Sequence, residues 1–145
     1  MTNSTILALA VALIASSAAR AADGGCHTPG AMAGQPNAAK YLAGADMGFG
    51  VPGLGVFYPP NLTPDSESGL GTWSEEDTIR AVRTGARPDG RELMVMPWCS
   101  YAALSDDDAA ALAAYLKILP PVENRAPPSG ESEKAPAPCF VVVMP

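Results

Sequence analysis

Histidine is nearly absent from this chain of 145 residues, which contains a single one, His27. No serine, histidine and acidic residue stand at the spacing of a hydrolytic triad, and the sequence has no glycine-rich phosphate loop. The sequence therefore gives no support to hydrolase or transferase chemistry.

Basic residues are also scarce. Nine lysines and arginines stand against 15 aspartates and glutamates, which gives a formal net charge of −6. An acidic surface repels a phosphate backbone, so nucleic acid is excluded as a partner class. A protein partner with a basic face suits this charge better.

Proline and glycine, in contrast, are abundant, with 15 and 14 residues. They predict long ordered loops and few long elements. Two helices are predicted over residues 74–85 and 105–119, because each opens with a serine N-cap followed by three acidic residues. A short hairpin is expected near residues 51–57. The Pro-rich residues 123–145 are expected to form a surface tail ending in a short strand or an extended strap.

An apolar stretch lies at the start of the sequence. Residues 6–22, "ILALAVALIASSAARAA", have the apolar core and small-x-small site of a secretory signal, with cleavage expected after Ala21. No lysine or arginine precedes this stretch, so an uncleaved apolar helix is the alternative. The run is shorter than the ~20 residues that a bilayer span needs. The sequence thus predicts a periplasmic or exported protein, with membrane association if the segment is retained.

Cys26 and His27 form the second half of the c-type haem attachment motif C-x-x-C-H. In this motif a cysteine sulfur forms a thioether to a haem vinyl group, and the histidine becomes the proximal iron ligand. Asp23 stands where the first cysteine is expected. A six-coordinate electron-transfer haem needs a second axial ligand, and methionine suits this role because its thioether raises the reduction potential. The stretch "LMVMPW" offers Met94 and Met96.

Three longer stretches extend the comparison: "YLAG", "NLTPDSESGLGTWSEEDTIRAVRTGARPDGRELMVMPW" and "SYAALSDDDAAALAAYLKILPPV". Together they resemble the class I bacterial c-type cytochromes, in particular the cytochrome domains that accompany periplasmic alcohol, aldehyde and gluconate dehydrogenases. The resemblance runs over residues 25–122. It implies an all-α fold of a few short helices and long Pro/Gly-rich loops around one haem.

The same resemblance implies an electron carrier rather than an enzyme. Its redox partners would be a dehydrogenase on one side and a respiratory acceptor, an oxidase or a quinol-oxidising complex, on the other. The family motif assigns the proximal ligand to His27 and the distal ligand to Met96, with Met94 as the second choice. The expected organisation is a signal-like segment (1–21), a cytochrome domain (22–122) and the tail (123–145).

Two features depart from the family pattern. Asp23 leaves Cys26 as the only anchor, so haem c can have at most a single thioether. Family members also carry a helix before the motif that packs on the last helix, and here the signal-like segment occupies that place. A degenerate cytochrome-like domain without covalent haem, serving as an interaction or structural module, is therefore the alternative.

The three cysteines are an odd number, which suggests a separate task for one of them in an exported protein. If Cys26 carries haem, Cys99 and Cys139 remain to form a disulfide, and two separate thiols are the alternative. A Cys₃His zinc site is a further alternative, but the adjacency of Cys26 and His27 is unlike the usual ligand spacing.

Several other side chains are candidates to line a haem or to bind its propionates. Core packing explains each aromatic residue at least as well, and ordinary solvation is the better explanation for each arginine. They are Tyr58, Trp73, Arg83, Arg87, Trp98 and Tyr101.

Replacing Asp23 by cysteine completes the C-x-x-C-H motif. We expect Asp23→Cys to raise the fraction of haem-loaded protein and to shift the absorption spectrum towards that of an ordinary two-thioether haem c. Mass spectrometry of the intact protein and its absorption spectrum measure both effects. Unchanged loading and an unchanged spectrum would show that residue 23 does not face a vinyl group.

Overall fold

The computed structural model describes residues 25–130 and 139–141. The signal-like segment 1–21 and Asp23 lie outside these residues. The chain enters with a helical turn at residues 25–27 and passes through two short 3-10 turns, Ala31–Ala33 and Ala38–Lys40. A β-hairpin, three α-helices and a late strand follow in that order.

Both predicted helices are confirmed, as α1 (Glu75–Thr84) and α3 (Asp106–Ile118). At the start of α1 the Ser74 hydroxyl accepts a hydrogen bond from the Asp77 N–H, and the Asp77 carboxylate accepts one from the Ser74 N–H. This backbone N–H also lowers the pKa of Asp77. Each helix therefore begins at its serine because the orphan N–H groups of the first turn are satisfied there.

A third helix, α2 (Trp98–Tyr101), lies between the two predicted helices, where no element was expected. The described helical core forms where α1 packs against both α2 and α3. The spacing of the large apolar residues predicts one apolar face on α3, and this is only partly confirmed: Leu116 is buried, but Leu112, Tyr115 and Leu119 are half-buried. The deepest positions belong to small residues, which let the helices approach closely: Ala81, Ala109 and Ala113.

The described residues also contain a three-stranded sheet in the order β2-β1-β3, formed by Gly48–Val51 (β1), Gly55–Phe57 (β2) and Cys139–Val141 (β3). The first two strands are the predicted hairpin, paired antiparallel, and β3 pairs parallel to β1. The predicted all-α class is thus only partly correct. Gly48 permits this sheet because a Cβ there would lie 2.8 Å from side-chain atoms of Tyr58 and Val56.

The segment after α3 is tied to the rest of the chain more closely than a surface tail would be. Gly130 exchanges two backbone hydrogen bonds with Val56, and the Tyr58 N–H donates to the Ser129 hydroxyl. The late strand β3 then covers the other side of the hairpin. Within the described ranges, no helix combines the length and the apolar character that a bilayer crossing requires.

Two glycines that both adopt a left-handed backbone provide a matched test of how α2 is placed. A Cβ on Gly85 (φ +75°) would lie 2.8 Å from the Trp98 indole nitrogen, whereas a Cβ on Gly90 (φ +80°) meets nothing within 4 Å. We expect Gly90→Ala to cost about 1 kcal/mol from backbone strain alone. Gly85→Ala should cost about 1–3 kcal/mol more because the Trp98 ring must move. Urea denaturation measures both, and equal losses would show that the contact with Trp98 is not a constraint.

Candidate functional site

The imidazole of His27 is oriented by a backbone oxygen. Its Nδ1 lies 2.9 Å from the Pro60 carbonyl oxygen. A carbonyl can only accept, so Nδ1 carries the proton, and in the neutral ring Nε2 carries the lone pair. This is the arrangement in which a histidine presents Nε2 as a metal ligand, with its tautomer and ring plane set by the bond at Nδ1.

His27 and the residue after it are also hydrogen-bonded to the loop at residues 42–44. The Gly44 N–H donates to the His27 carbonyl at 2.8 Å, and the Leu42 N–H donates to the buried Thr28 hydroxyl at 3.0 Å. Leu42 is the one non-glycine residue of positive φ (58°) among the described residues. It is also almost completely buried, so the surrounding contacts hold this strained conformation in place.

A second loop, residues 59–62, is hydrogen-bonded to the first. The Ala45 N–H donates to the Pro59 carbonyl at 3.0 Å, and the Leu62 N–H donates to the Leu42 carbonyl at 2.8 Å. The two loops approach so closely that a Cβ on Gly44 (φ +94°) would lie 3.1 Å from the Asn61 nitrogen. Glycine is thus required at residue 44 for both its conformation and its size.

Cys26 precedes His27 in the same helical turn and its thiol is exposed, as attachment to a bound group requires. The two candidate methionines differ in burial: Met94 is 52% exposed, whereas Met96 is half-buried. The loop that carries them is fixed to α1, because the Leu93 N–H donates to the Gly85 carbonyl at 2.9 Å. Burial therefore favours Met96 over Met94 as a ligand held in one position.

Both arginines and one of the aromatic residues singled out from the sequence have protein partners. The Arg83 guanidinium bonds to the Asp106 carboxylate at 2.8 Å and to the Leu104 carbonyl. The Arg87 guanidinium lies 5.6 Å from the centroid of the Trp73 ring and also pairs with Asp89. These contacts favour packing and loop support as the roles of both arginines.

Asp89 links two arginines in the loop before the methionines. Its carboxylate lies 2.7 Å from the Arg91 guanidinium and 3.1 Å from that of Arg87. The hydrogen bond from Arg91, assisted by Arg87, holds the pKa of Asp89 well below its usual range and raises the pKa of Arg91. The carboxylate is partly exposed, so this charge cluster shapes the loop rather than forming a buried reactive site.

The predicted disulfide between Cys99 and Cys139 is not formed in this structure, where both are free thiols. Cys99 is exposed on α2, which packs on α1, whereas Cys139 lies in β3 beside Gly48. The two cysteines are thus held by different elements. Among the described residues no group of three or more histidines, cysteines or acidic residues is placed to hold a metal ion, so the three cysteines and His27 do not converge on a zinc site.

Sequence reasoning missed three residues around His27: Pro60, Thr28 and Asn61. Pro60 contributes a backbone oxygen, for which no side-chain pattern exists. Asn61 opens an Asn-Leu-Thr sequon, but at 1% exposure it is buried rather than presented for glycosylation. The turn-forming run "NLTPD" was the available signal, because asparagine side chains commonly bond to backbone two residues on.

No protein-family model matches the chain. Among curated proteins it is 39% identical over 106 residues to the cytochrome c subunit of the quinone-type alcohol dehydrogenase of Gluconobacter oxydans, a match covering 70% of this chain and 20% of that protein. It is 35% identical over 100 residues to the fructose dehydrogenase cytochrome subunit of Gluconobacter japonicus, covering 67% and 19%. It is 44% identical over 63 residues to the gluconate 2-dehydrogenase cytochrome c subunit of Pantoea cypripedii, covering 43% and 14%.

These matches make the chain a relative of the c-type cytochromes. Within that class it is related to the cytochrome c subunits of bacterial dehydrogenases, so the resemblance found in the sequence is confirmed. The chain spans about a fifth of the length of the first two of these relatives.

Alkylation gives a direct chemical test of whether Cys99 and Cys139 are paired. We expect alkylation of denatured protein, without prior reduction, to label both Cys99 and Cys139, because neither sulfur is bonded in the structure. Peptide mapping by mass spectrometry identifies each labelled cysteine independently of the state of Cys26. In the folded protein the exposed Cys99 should react with a water-soluble reagent, and Cys99→Ser should abolish that labelling. Recovery of a joined Cys99–Cys139 peptide would contradict the structure.

Proposed function

We propose that the protein is a single-haem c-type cytochrome that transfers electrons between a periplasmic dehydrogenase and a respiratory acceptor, an oxidase or a quinol-oxidising complex. The observation that carries this proposal is the 2.9 Å contact between His27 Nδ1 and the Pro60 carbonyl. With the proton on Nδ1, Nε2 is the atom that would bind iron. His27 also lies directly after the cysteine that can form a thioether.

The residues present fit a haem with one covalent anchor. Cys26 would supply the thioether, His27 the proximal ligand and Met96 the distal ligand. The exposed sulfur of Cys26 and the half-buried position of Met96 support this set. One histidine and one adjacent cysteine support a single haem.

A bound haem supplies one-electron redox chemistry, and the protein's own groups adjust it. The Pro60 carbonyl accepts a hydrogen bond from the Nδ1–H of His27, which makes Nε2 a stronger donor to the iron. The thioether of Met96 raises the reduction potential. The hydrogen-bonded loops at residues 42–45 and 59–62 hold the histidine in one orientation, so that little rearrangement accompanies electron transfer.

The proposed partners and location follow from charge and resemblance. The net charge of −6 favours a redox partner with a basic contact face and disfavours nucleic acid as a partner. The cytochrome domain is proposed to span residues 22–122 and to act outside the cytoplasm, with the apolar segment 1–21 acting as the export signal. Retention of that segment would add a membrane attachment.

The competing proposal is a haem-free interaction module, which the presence of Asp23 favours. An absorption spectrum of purified full-length protein separates the two. A Soret band supports the electron carrier, and its absence after expression with the haem attachment machinery supports the module. Mass spectrometry of the same sample reports the cleavage point and the covalent haem together.

The choice of distal ligand is tested by two matched substitutions. We expect Met96→Ala to retain haem but to lose the sulfur-to-iron charge-transfer band and to lower the reduction potential, because the thioether ligand is removed. Met94→Ala is the control and should leave both properties unchanged, since its side chain is the more exposed. Absorption spectroscopy and potentiometric titration measure the two effects. The reverse pattern would assign the ligand to Met94.

A further inference from the structure

We propose that Asn61 is a positioning residue for the proximal histidine. Its buried amide fixes the peptide unit that contains the Pro60 carbonyl, and this oxygen in turn orients His27. The inference rests on the proposed function, in which His27 binds haem iron, and adds to it a residue that does not itself touch the ligand.

The amide of Asn61 is hydrogen-bonded at both ends inside the protein. Its Nδ2 donates to the Ser68 hydroxyl at 3.0 Å and to the Val122 carbonyl at 2.7 Å. Its Oδ1 accepts from the Thr63 N–H at 2.9 Å and from the Thr63 hydroxyl at 2.8 Å. The side chain is only 1% exposed, so any rotation would leave buried polar groups unpaired. Asn61 is therefore held in one conformation.

The connection from Asn61 to His27 passes through a single rigid unit. The Pro60 carbonyl and the Asn61 N–H belong to the same planar peptide group. The proline ring fixes φ of Pro60, so ψ of Pro60 is the rotation that turns this peptide group, and on the following side the Leu62 N–H is bonded to the Leu42 carbonyl. With Asn61 fixed, the Pro60 oxygen has one direction, and the 2.9 Å contact transmits that direction to the imidazole.

The same network reaches the segment after α3. The Val122 N–H donates to the Thr63 hydroxyl at 3.1 Å, while its carbonyl accepts from Asn61. Asn124 donates from its own N–H to the Ser68 hydroxyl at 3.0 Å. The segment that follows the last helix thus takes part in orienting a histidine near the start of the described chain.

Loosening this network has an electronic consequence that loss of stability alone does not have. A hydrogen bond from Nδ1–H to a carbonyl makes the imidazole a stronger donor. A weaker bond makes Nε2 a poorer donor, which stabilises ferric iron less. The reduction potential should therefore rise when the Pro60 carbonyl is free to turn.

The experiment uses full-length, haem-loaded protein and neutral substitutions, so that no new charge affects the potential. Asn61→Leu removes the whole amide, and Thr63→Val removes only the hydroxyl that bonds to Asn61 and Val122. Thr63→Ser keeps that hydroxyl and serves as the rescue. The matched control is Thr78→Val, since Thr78 is a buried threonine of α1 whose hydroxyl bonds to the Ser74 carbonyl instead.

Two measurements are made: potentiometric titration and the hyperfine-shifted proton resonances of His27 in the oxidised protein. We expect Asn61→Leu and Thr63→Val to raise the ratio of reduced to oxidised protein at a fixed ambient potential by about threefold. We expect a small effect because the Pro60 carbonyl, the direct partner of His27, remains in place; losing such a partner costs about 10- to 100-fold in metal affinity or activity. The His27 resonances should shift in both variants. Thr63→Ser should return both readouts to the wild-type values, and Thr78→Val should lower stability without moving either.

If the potential and the His27 resonances stay at their wild-type values in Thr63→Val while stability falls, Asn61 and its network are merely structural and the positioning role is wrong. Thr63→Val decides the matter even where Asn61→Leu does not fold. In that outcome the proposed electron carrier stands, because it depends on a Soret band in the wild-type protein and not on the role of Asn61. Wild-type protein without a Soret band would overturn both proposals at once.

Discussion

The hydrogen bond from His27 Nδ1 to the Pro60 carbonyl is the contact on which the arrangement of the site depends. It joins the first helical turn of the described chain to a loop more than thirty residues later. The hydrogen bonds of Thr28, Gly44 and Leu42 support this contact, because each of them fixes the chain next to one of its two partners. A histidine held this way presents one ring nitrogen in one direction.

Polar contacts, more than apolar burial, hold this part of the molecule together. The largest side chains that are almost wholly enclosed include Asn61, Thr28 and Thr63 beside Leu42 and Val56. Buried polar groups stabilise only when their partners are in place, and they then specify a single geometry. Loops rich in proline and glycine are suited to this role, because they bring backbone donors and acceptors close to side-chain amides and hydroxyls.

Local signals in the sequence predicted local structure well. Ser74 and Ser105 marked the helix starts because a cap acts within one turn. The Cys26-His27 pair indicated haem attachment because the two residues are adjacent in the sequence. The Pro60 oxygen, the pairing of β1 with β3 and the four-residue helix α2 were not predicted, because each depends on contacts distant in sequence or on backbone atoms that no residue type reveals. The cysteine count predicted a pairing of Cys99 with Cys139 that this structure does not form, because a count carries no information on where the fold places each thiol.

The position of Gly130 and β3 on either side of the hairpin has a consequence for how the chain reaches its native state. Both edges of the β1–β2 pair are covered by chain that is synthesised after it. Until those residues arrive, the hairpin presents open backbone edges, which are the usual templates for intermolecular strand pairing. Closing it requires contacts between residues far apart in sequence, a topology that slows folding. Truncated or prematurely released chains would therefore be the aggregation-prone species of this protein.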